Sequence, residues 1–107
     1  ALALGDIGQL FPDTDASFQG ADSAELTREV RRLCLAKGYS VSNLDVTILC
    51  EVPKIGPIRE TMRQCIADVL ETVVDQISVK ATTTEQLGFI GRGEGIAVMA
   101  SVLMRAH

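Results

Sequence analysis

Tryptophan is absent from the 107 residues, and aromatic side chains make up only 4% of them. A platform of aromatic rings for stacking bases is therefore not expected. Basic residues are outnumbered, with 10 Lys and Arg against 14 Asp and Glu, for a net charge of −4. Binders of nucleic acid or of acidic membranes rely on a basic surplus, so neither partner is expected. An anion could still be held locally, where backbone N–H groups and a few cations converge. The only histidine is His107, the last residue of the sequence. One His and no Cys cluster cannot supply a usual zinc site of three or four ligands. A Ser or Thr nucleophile would have no His base either, unless His107 folded back. The three cysteines, Cys34, Cys50 and Cys65, are odd in number and contain no C-x-x-C. That argues against a disulfide framework and for a reducing compartment: the cytoplasm, or the plastid in a plant or alga. Each lies in an apolar run and reads as core packing. No uncharged apolar run reaches the roughly 18 residues that a membrane-spanning helix needs.

The sequence does have 47% apolar residues, enough for a core and too many for a disordered chain. Its length suits one domain over residues 1–107. Residues 1–22 read as a short apolar start and a long loop rich in Gly and Asp. Residues 23–37 read as a helix capped by Asp22 or Ser23, with Leu26, Val30, Leu33 and Cys34 on one stripe and Gly38 as its stop. Residues 40–50 alternate as a half-buried strand through Leu44, Val46 and Ile48, and Pro53 and Pro57 end the ladder. Residues 57–71 repeat at helical spacing through Ile58, Met62, Cys65, Ile66, Val69 and Leu70, with Pro57 at the first position. Residues 76–82 alternate again, with Ile77, Val79 and Ala81 on one face. Residues 95–104 are a near-continuous apolar run, which fits a strand buried on both faces or a buried helix. This order predicts an α/β (α+β layer) fold: a mixed β-sheet with helices packed on one face.

Three segments carry candidate chemistry. The first joins Gly5, Asp6, Ile7 and Gly8 to Phe11, Pro12, Asp13, Thr14 and Asp15. Carboxylates among glycines could accept hydrogen bonds from a polyol or hold a hard cation, and could equally make Asx-turns. The second is Lys80-Ala81-Thr82-Thr83-Thr84-Glu85. Hydroxyls at a strand end can bind phosphate oxygens, and Glu85 can hold a magnesium or manganese ion that bridges them. The alternative is a β-compatible Thr run entering a turn. The third is Gly88-Phe89-Ile90-Gly91-Arg92-Gly93-Glu94-Gly95. Spaced glycines let backbone approach an anion and Arg92 can form a bidentate fork, although a Gly-rich hairpin fits as well. The G-x-G-x-x-G spacing of a dinucleotide fold is not met.

Taken together, GDIGQLFPDTD, CEVPK, KATTTEQLGF and GRGEG resemble, in this order, the 2-C-methyl-D-erythritol 2,4-cyclodiphosphate synthases, and the resemblance runs the length of the chain. It implies a homotrimer with active sites between neighbouring subunits. It implies conversion of 4-diphosphocytidyl-2-C-methyl-D-erythritol 2-phosphate into the cyclic diphosphate and CMP, in non-mevalonate isoprenoid biosynthesis. The substrate's own 2-phosphate attacks the β-phosphorus, so catalysis is positioning and charge stabilisation without a protein nucleophile. By position, Asp6, Ile7 and Gly8 would contact the erythritol, and Phe11, Pro12, Asp13, Thr14 and Asp15 would line the same pocket. Cys50, Glu51, Val52, Pro53, Lys54, Ile55 and Gly56 would hold cytosine and ribose, mainly through backbone groups. Thr82, Thr83, Thr84 and Glu85 would meet the diphosphate. Thr83 resembles the transition-state-stabilising threonine of the family, and Glu85 its ligand for the second divalent ion, Mg2+ or Mn2+. Phe89 and Arg92 match further substrate contacts, and Arg92 and Glu94 resemble residues lining the central channel of the trimer, where an isoprenoid diphosphate is a possible ligand.

The sequence departs from the family in one large respect. The resemblance implies roughly another third of chain before Ala1, carrying an Asp-x-His pair and another His that bind zinc, and a His-Ser loop over the phosphates. None of these is in the sequence, and His107 matches none of them. Residues 1–107 are thus expected to be the C-terminal two-thirds of the family's domain and to be inactive alone. Two rival readings remain open: a cytidine-nucleotide-binding trimer without turnover, and a structural fragment.

Overall fold

The computed structural model describes residues 1–12, 14, 17, 20 and 22–107. A single-turn helix, α1 (Ile7–Leu10), is followed by α2 (Ser23–Ala36), strand β1 (Tyr39–Leu49), helix α3 (Arg59–Leu70), strand β2 (Ile77–Thr82), a second single turn α4 (Gly88–Gly91) and strand β3 (Ala97–Ala106). The expected α2 stands within a residue of its bounds. Asp22 caps it, its carboxylate accepting from the Ala24 N–H at 3.1 Å and so satisfying one of the orphan donors of the first turn. Gly38 ends the segment at φ 91, a left-handed conformation that a side chain would oppose. Pro57 enters a turn of 3-10 helix over Gly56–Ile58, so α3 proper starts two residues later than Pro57 suggests.

The sheet has the order β2-β1-β3. β1 and β2 are parallel, with Leu44 opposite Ile77 and Leu49 opposite Thr82. β1 and β3 are antiparallel, with Leu44 opposite Val102 and Leu49 opposite Ala97, and the register shifts between Val41 and Asn43. The mixed sheet is thus the one expected. Parallel β1 and β2 are joined through α3, as a β-α-β unit requires.

Alternation decides the faces. Val46 and Ile48 of β1 and Ile77 and Val79 of β2 are buried, and they form the core with Cys50, Ile55 and Ala67. Met62, Ile66 and Leu70 of α3 pack on this cluster, while α2 packs on α3 and β1. Arg31 of α2 donates from Nε to the Leu70 carbonyl at 2.9 Å and pairs with Glu71, locking the two helices end to side. Arg63 fastens α3 to β2, its Nε and Nη2 donating to the carbonyls of Ile77 at 2.8 Å and Val74 at 2.9 Å.

Two expectations are corrected. The run at 95–104 is a strand, yet it is not buried on both faces in one copy. Val98, Met99 and Leu103 are 55%, 61% and 58% exposed. The reason is its place: β3 is an edge strand, and the helices cover mainly β1 and β2. The cysteines also divide. Cys50 is buried, Cys34 is half-buried and Cys65 is exposed on α3. No helix among the described residues is long and apolar enough to cross a membrane.

Candidate functional site

Parallel pairing of β1 and β2 sends both strands out of the sheet at the same end. Leu49 faces Thr82 in register, and the Cys50 N–H donates to the Thr82 carbonyl at 3.1 Å. The segment after β1 and the segment after β2 therefore run side by side. Between them lies a cleft of about 180 Å³ lined by Cys50, Glu51, Pro53, Lys54, Ile55, Gly56, Arg59, Ala81, Thr82 and Thr83. The second candidate segment thus meets residues 50–56, which the resemblance assigned to cytosine and ribose. Within 50–56, Cys50 and Ile55 turn into the core, whereas Val52, Pro53 and Lys54 are exposed. The Val52–Pro53 peptide is cis, and the Cys50 thiol donates to the Pro53 carbonyl at 3.5 Å.

The three threonines have different tasks. The Thr82 hydroxyl donates to the Thr83 carbonyl at 3.2 Å. The Thr84 hydroxyl lies 2.7 Å from the Leu87 carbonyl, to which it donates. The Thr83 hydroxyl oxygen accepts from the Glu85 N–H at 3.2 Å, and its own hydrogen has no acceptor among the described residues. Of the three, Thr83 alone keeps a free donor at the cleft. Glu85 and Gln86 then turn through the left-handed region, at φ 53 and 67. The Glu51 carboxylate crosses from the other segment to this turn: its Oε1 accepts from the N–H of Thr84 at 3.1 Å and of Gln86 at 3.1 Å, and lies 3.3 Å from the Thr84 hydroxyl. The backbone of Gly91 presses on the same turn, where a Cβ would sit 2.2 Å from the Gln86 carbonyl carbon.

The first candidate segment does not join this cleft within one copy. Asp6 caps α1: its Oδ1 accepts from the Gln9 N–H at 2.9 Å while Gln9 Oε1 accepts from the Asp6 N–H at 3.0 Å. Residues 1–5 and Leu10 instead line an apolar groove with Val41, Leu44, Val102 and Met104, over the opening half of β1. This groove and the cleft share no lining residue. Ile7 and Gly8 are exposed in α1, Phe11 is buried, Pro12 is half-buried and Thr14 is exposed; Asp13 and Asp15 lie outside the described residues.

In the third segment the glycines make a helical turn, α4, rather than a hairpin. Phe89 is 53% exposed. Arg92 forms its fork with Glu94, at 3.0 Å from both Nε and Nη2. The sequence reading missed Arg59, which lines the cleft from the first position of α3, and the side-chain task of Glu51. Arg59 follows the Pro-Lys-Ile-Gly-Pro stretch closely enough to have been weighed with it. Glu51 has no local signal, since its partners are 33 to 35 residues away.

Among the described residues, no group of three His, Cys, Asp or Glu side chains could hold a metal ion. Glu85 is exposed and its N–H meets the Thr83 hydroxyl; its carboxylate is a hard oxygen donor of the kind that suits magnesium when phosphate oxygens complete the shell.

A family model described as the YgbB family matches residues 1–105. The chain is 60% identical over 104 residues to a 2-C-methyl-D-erythritol 2,4-cyclodiphosphate synthase of Acinetobacter baylyi, a match covering 97% of this chain and 64% of that protein. A relative of the same name from Yersinia pseudotuberculosis matches with the same identity and coverage. The chain therefore spans somewhat less than two thirds of the length of these curated relatives. Among solved structures, the bifunctional IspDF of Campylobacter jejuni superposes with a TM-score of 0.92 at 42% identity, over 97% of this chain and 28% of that one. An IspF of Plasmodium falciparum in complex with CDP superposes with a TM-score of 0.83 at 37% identity, over 95% of this chain and 60% of that one.

Proposed function

The chain belongs to the YgbB family, and from that premise we propose that the protein it comes from is a 2-C-methyl-D-erythritol 2,4-cyclodiphosphate synthase whose cytidine-diphosphate moiety sits in the cleft between residues 50–56 and 82–83. In the reaction, an oxygen of the substrate's 2-phosphate forms a bond to the β-phosphorus. The bond from that phosphorus to the bridging oxygen of the α-phosphate breaks, and CMP leaves. The cleft needs to hold a phosphate chain still and to stabilise charge on its oxygens. The single observation that carries this reading is the free hydroxyl hydrogen of Thr83 in a cleft that Lys54 and Arg59 also line. Thr83 donates to a phosphoryl oxygen. Thr82 and Thr84 hold the backbone that presents it. Val52, Pro53, Lys54 and Gly56 bind base and ribose through main-chain groups.

Glu85 holds Mg2+ or Mn2+, which when bound neutralises phosphate charge. The described residues do not fit a zinc site. Asp6, Ile7, Gly8, Phe11, Pro12, Asp13, Thr14 and Asp15 contact the erythritol of a substrate held by a neighbouring copy, a reading supported by Asp6, Ile7, Gly8, Phe11, Pro12 and Thr14 not lining the cleft. The assembly is a homotrimer, and the exposed apolar side chains of β3 are the surface such an assembly would cover. Phe89 and Arg92 add substrate contacts. Arg92 and Glu94 line the central channel, which takes an isoprenoid diphosphate. The work is done in a reducing compartment.

Titration calorimetry with CDP and with cytidine tests the cleft. CDP should bind the chain more tightly than cytidine, and Thr83→Val should weaken CDP by about tenfold, which is the loss of one hydrogen bond to a charged group. Absence of CDP binding would overturn the reading. Phosphorus-31 spectroscopy tests the reaction: the whole protein should yield the cyclic diphosphate and CMP, and residues 1–107 alone should yield neither.

A further inference from the structure

Glu51 makes a contact that substrate binding does not explain. One oxygen of its carboxylate, Oε1, gathers the N–H groups of Thr84 and Gln86 and lies within reach of the Thr84 hydroxyl, at 3.1, 3.1 and 3.3 Å. These groups frame Glu85, which sits with Gln86 at positive φ. Two successive non-glycine residues in the left-handed region are costly and persist only where surrounding structure over-determines them. The close approach of Gly91 to the Gln86 backbone constrains one side of the turn. Inside the turn the Glu85 N–H donates to the Thr83 hydroxyl at 3.2 Å and the Leu87 N–H to the Thr84 carbonyl at 3.1 Å; Glu51 is the side chain that ties it to the segment after β1.

We propose that Glu51 is a positioning residue that latches the Thr84–Gln86 turn to the cleft, so that the Thr83 hydroxyl and the Glu85 carboxylate face a bound nucleoside diphosphate. The inference rests on the cleft being the diphosphate site. The latch needs an acceptor and does not need a charge. A neutral amide oxygen at the same place can accept the same N–H donors, and it removes a negative charge beside the phosphate oxygens. Glu51→Gln therefore keeps the turn and binds a diphosphate at least as tightly as the unsubstituted chain. Glu51→Ala releases the turn, and the N–H groups of Thr84 and Gln86 lose their partner.

Hydrogen exchange and calorimetry with CDP, run on the unsubstituted chain and both variants, test this. Expected are faster exchange of the Thr84 and Gln86 amides in Glu51→Ala, a loss of CDP affinity of about tenfold, and recovery of both in Glu51→Gln. Cytidine affinity should change much less, because the base is held through main-chain groups, which the substitution retains. Exchange unchanged in Glu51→Ala would overturn the latch. Exchange accelerated with CDP affinity intact would overturn its positioning role. Failure of Glu51→Gln to restore affinity would do so too. If the unsubstituted chain bound no CDP, the reading of the cleft itself would fall, and this inference with it.

Discussion

Gly91 shows how little room a single position can leave. A Cβ added there would lie 2.2 Å from the carbonyl carbon and 2.7 Å from the Cα of Gln86. The neighbour is backbone, so it cannot swing aside as the end of a long side chain would. We expect Gly91→Ala to cost about 1–3 kcal/mol in urea unfolding, the usual range for overpacking, and to disturb the Glu85 turn. Ile77 is the opposite case. At 2% exposure it fills the centre of the core, and Ile77→Ala should cost about 2–5 kcal/mol in the same measurement through lost burial and a residual cavity. At this scale the sequence was readable where the signal was local. Ile77 alternates with Val79, and Asp22 precedes a helical stripe. It was silent where a partner came from far along the chain, as Gln86 does for Glu51, and where a fit depends on backbone packing, as Gly91 does on Gln86.

Elements carry a second set of expectations. Asp22→Ala leaves the first-turn donors of α2 without their cap and should lower stability by about 1 kcal/mol, read as a shift in the urea midpoint. On the sheet face opposite the helices, Lys80 of β2 donates to Asp45 of β1 at 3.0 Å. The hydrogen bond from Lys80, joined by one from Ser78, holds the Asp45 carboxyl below the usual aspartate range. A carboxyl lowered in the folded state adds stability above its unfolded value and loses it as pH falls through its folded value. Thermal unfolding of the unsubstituted chain should therefore weaken in acid below the ordinary aspartate range, and Asp45→Asn should flatten part of that decline; the pair is solvent-exposed, so the effect is small. The β-α-β unit was legible because two alternating runs flank a helical stripe, and from parallel pairing it follows that residues 50–56 and 82–83 leave the sheet together. The run at 95–104 was legible only as apolar. Such a run records that surface is meant to be covered, and not which element or which copy covers it. The glycines at 88–95 marked a tight turn, but the choice between hairpin and helical turn depends on how the backbone of Gly91 packs on that of Gln86.

At the scale of the whole molecule, β2 and β3 are both edges of a three-stranded sheet. Met99 and Leu103 stand exposed on the face with no helix, and Val98 and Val102 remain partly bare on the other. Side chains of this kind favour association. Sedimentation should find the chain as an oligomer, and a double variant, Met99→Lys with Leu103→Lys, should shift it toward monomer while the circular dichroism of the helices is retained. The same scale sets the arrangement of the site. Asp6 follows Gly5, which lines the apolar groove near the start of β1, whereas Thr83 lines the cleft beyond its end. In the proposed assembly a ligand that touches both straddles two copies. If the proposed assembly holds, damage at these positions is separable by copy: in the whole protein, a chain spoiled at Asp6 and a chain spoiled at Thr83 should each be inert as pure assemblies, yet refolded as a mixture they should rebuild some intact junctions, each borrowing from one chain what the other has lost.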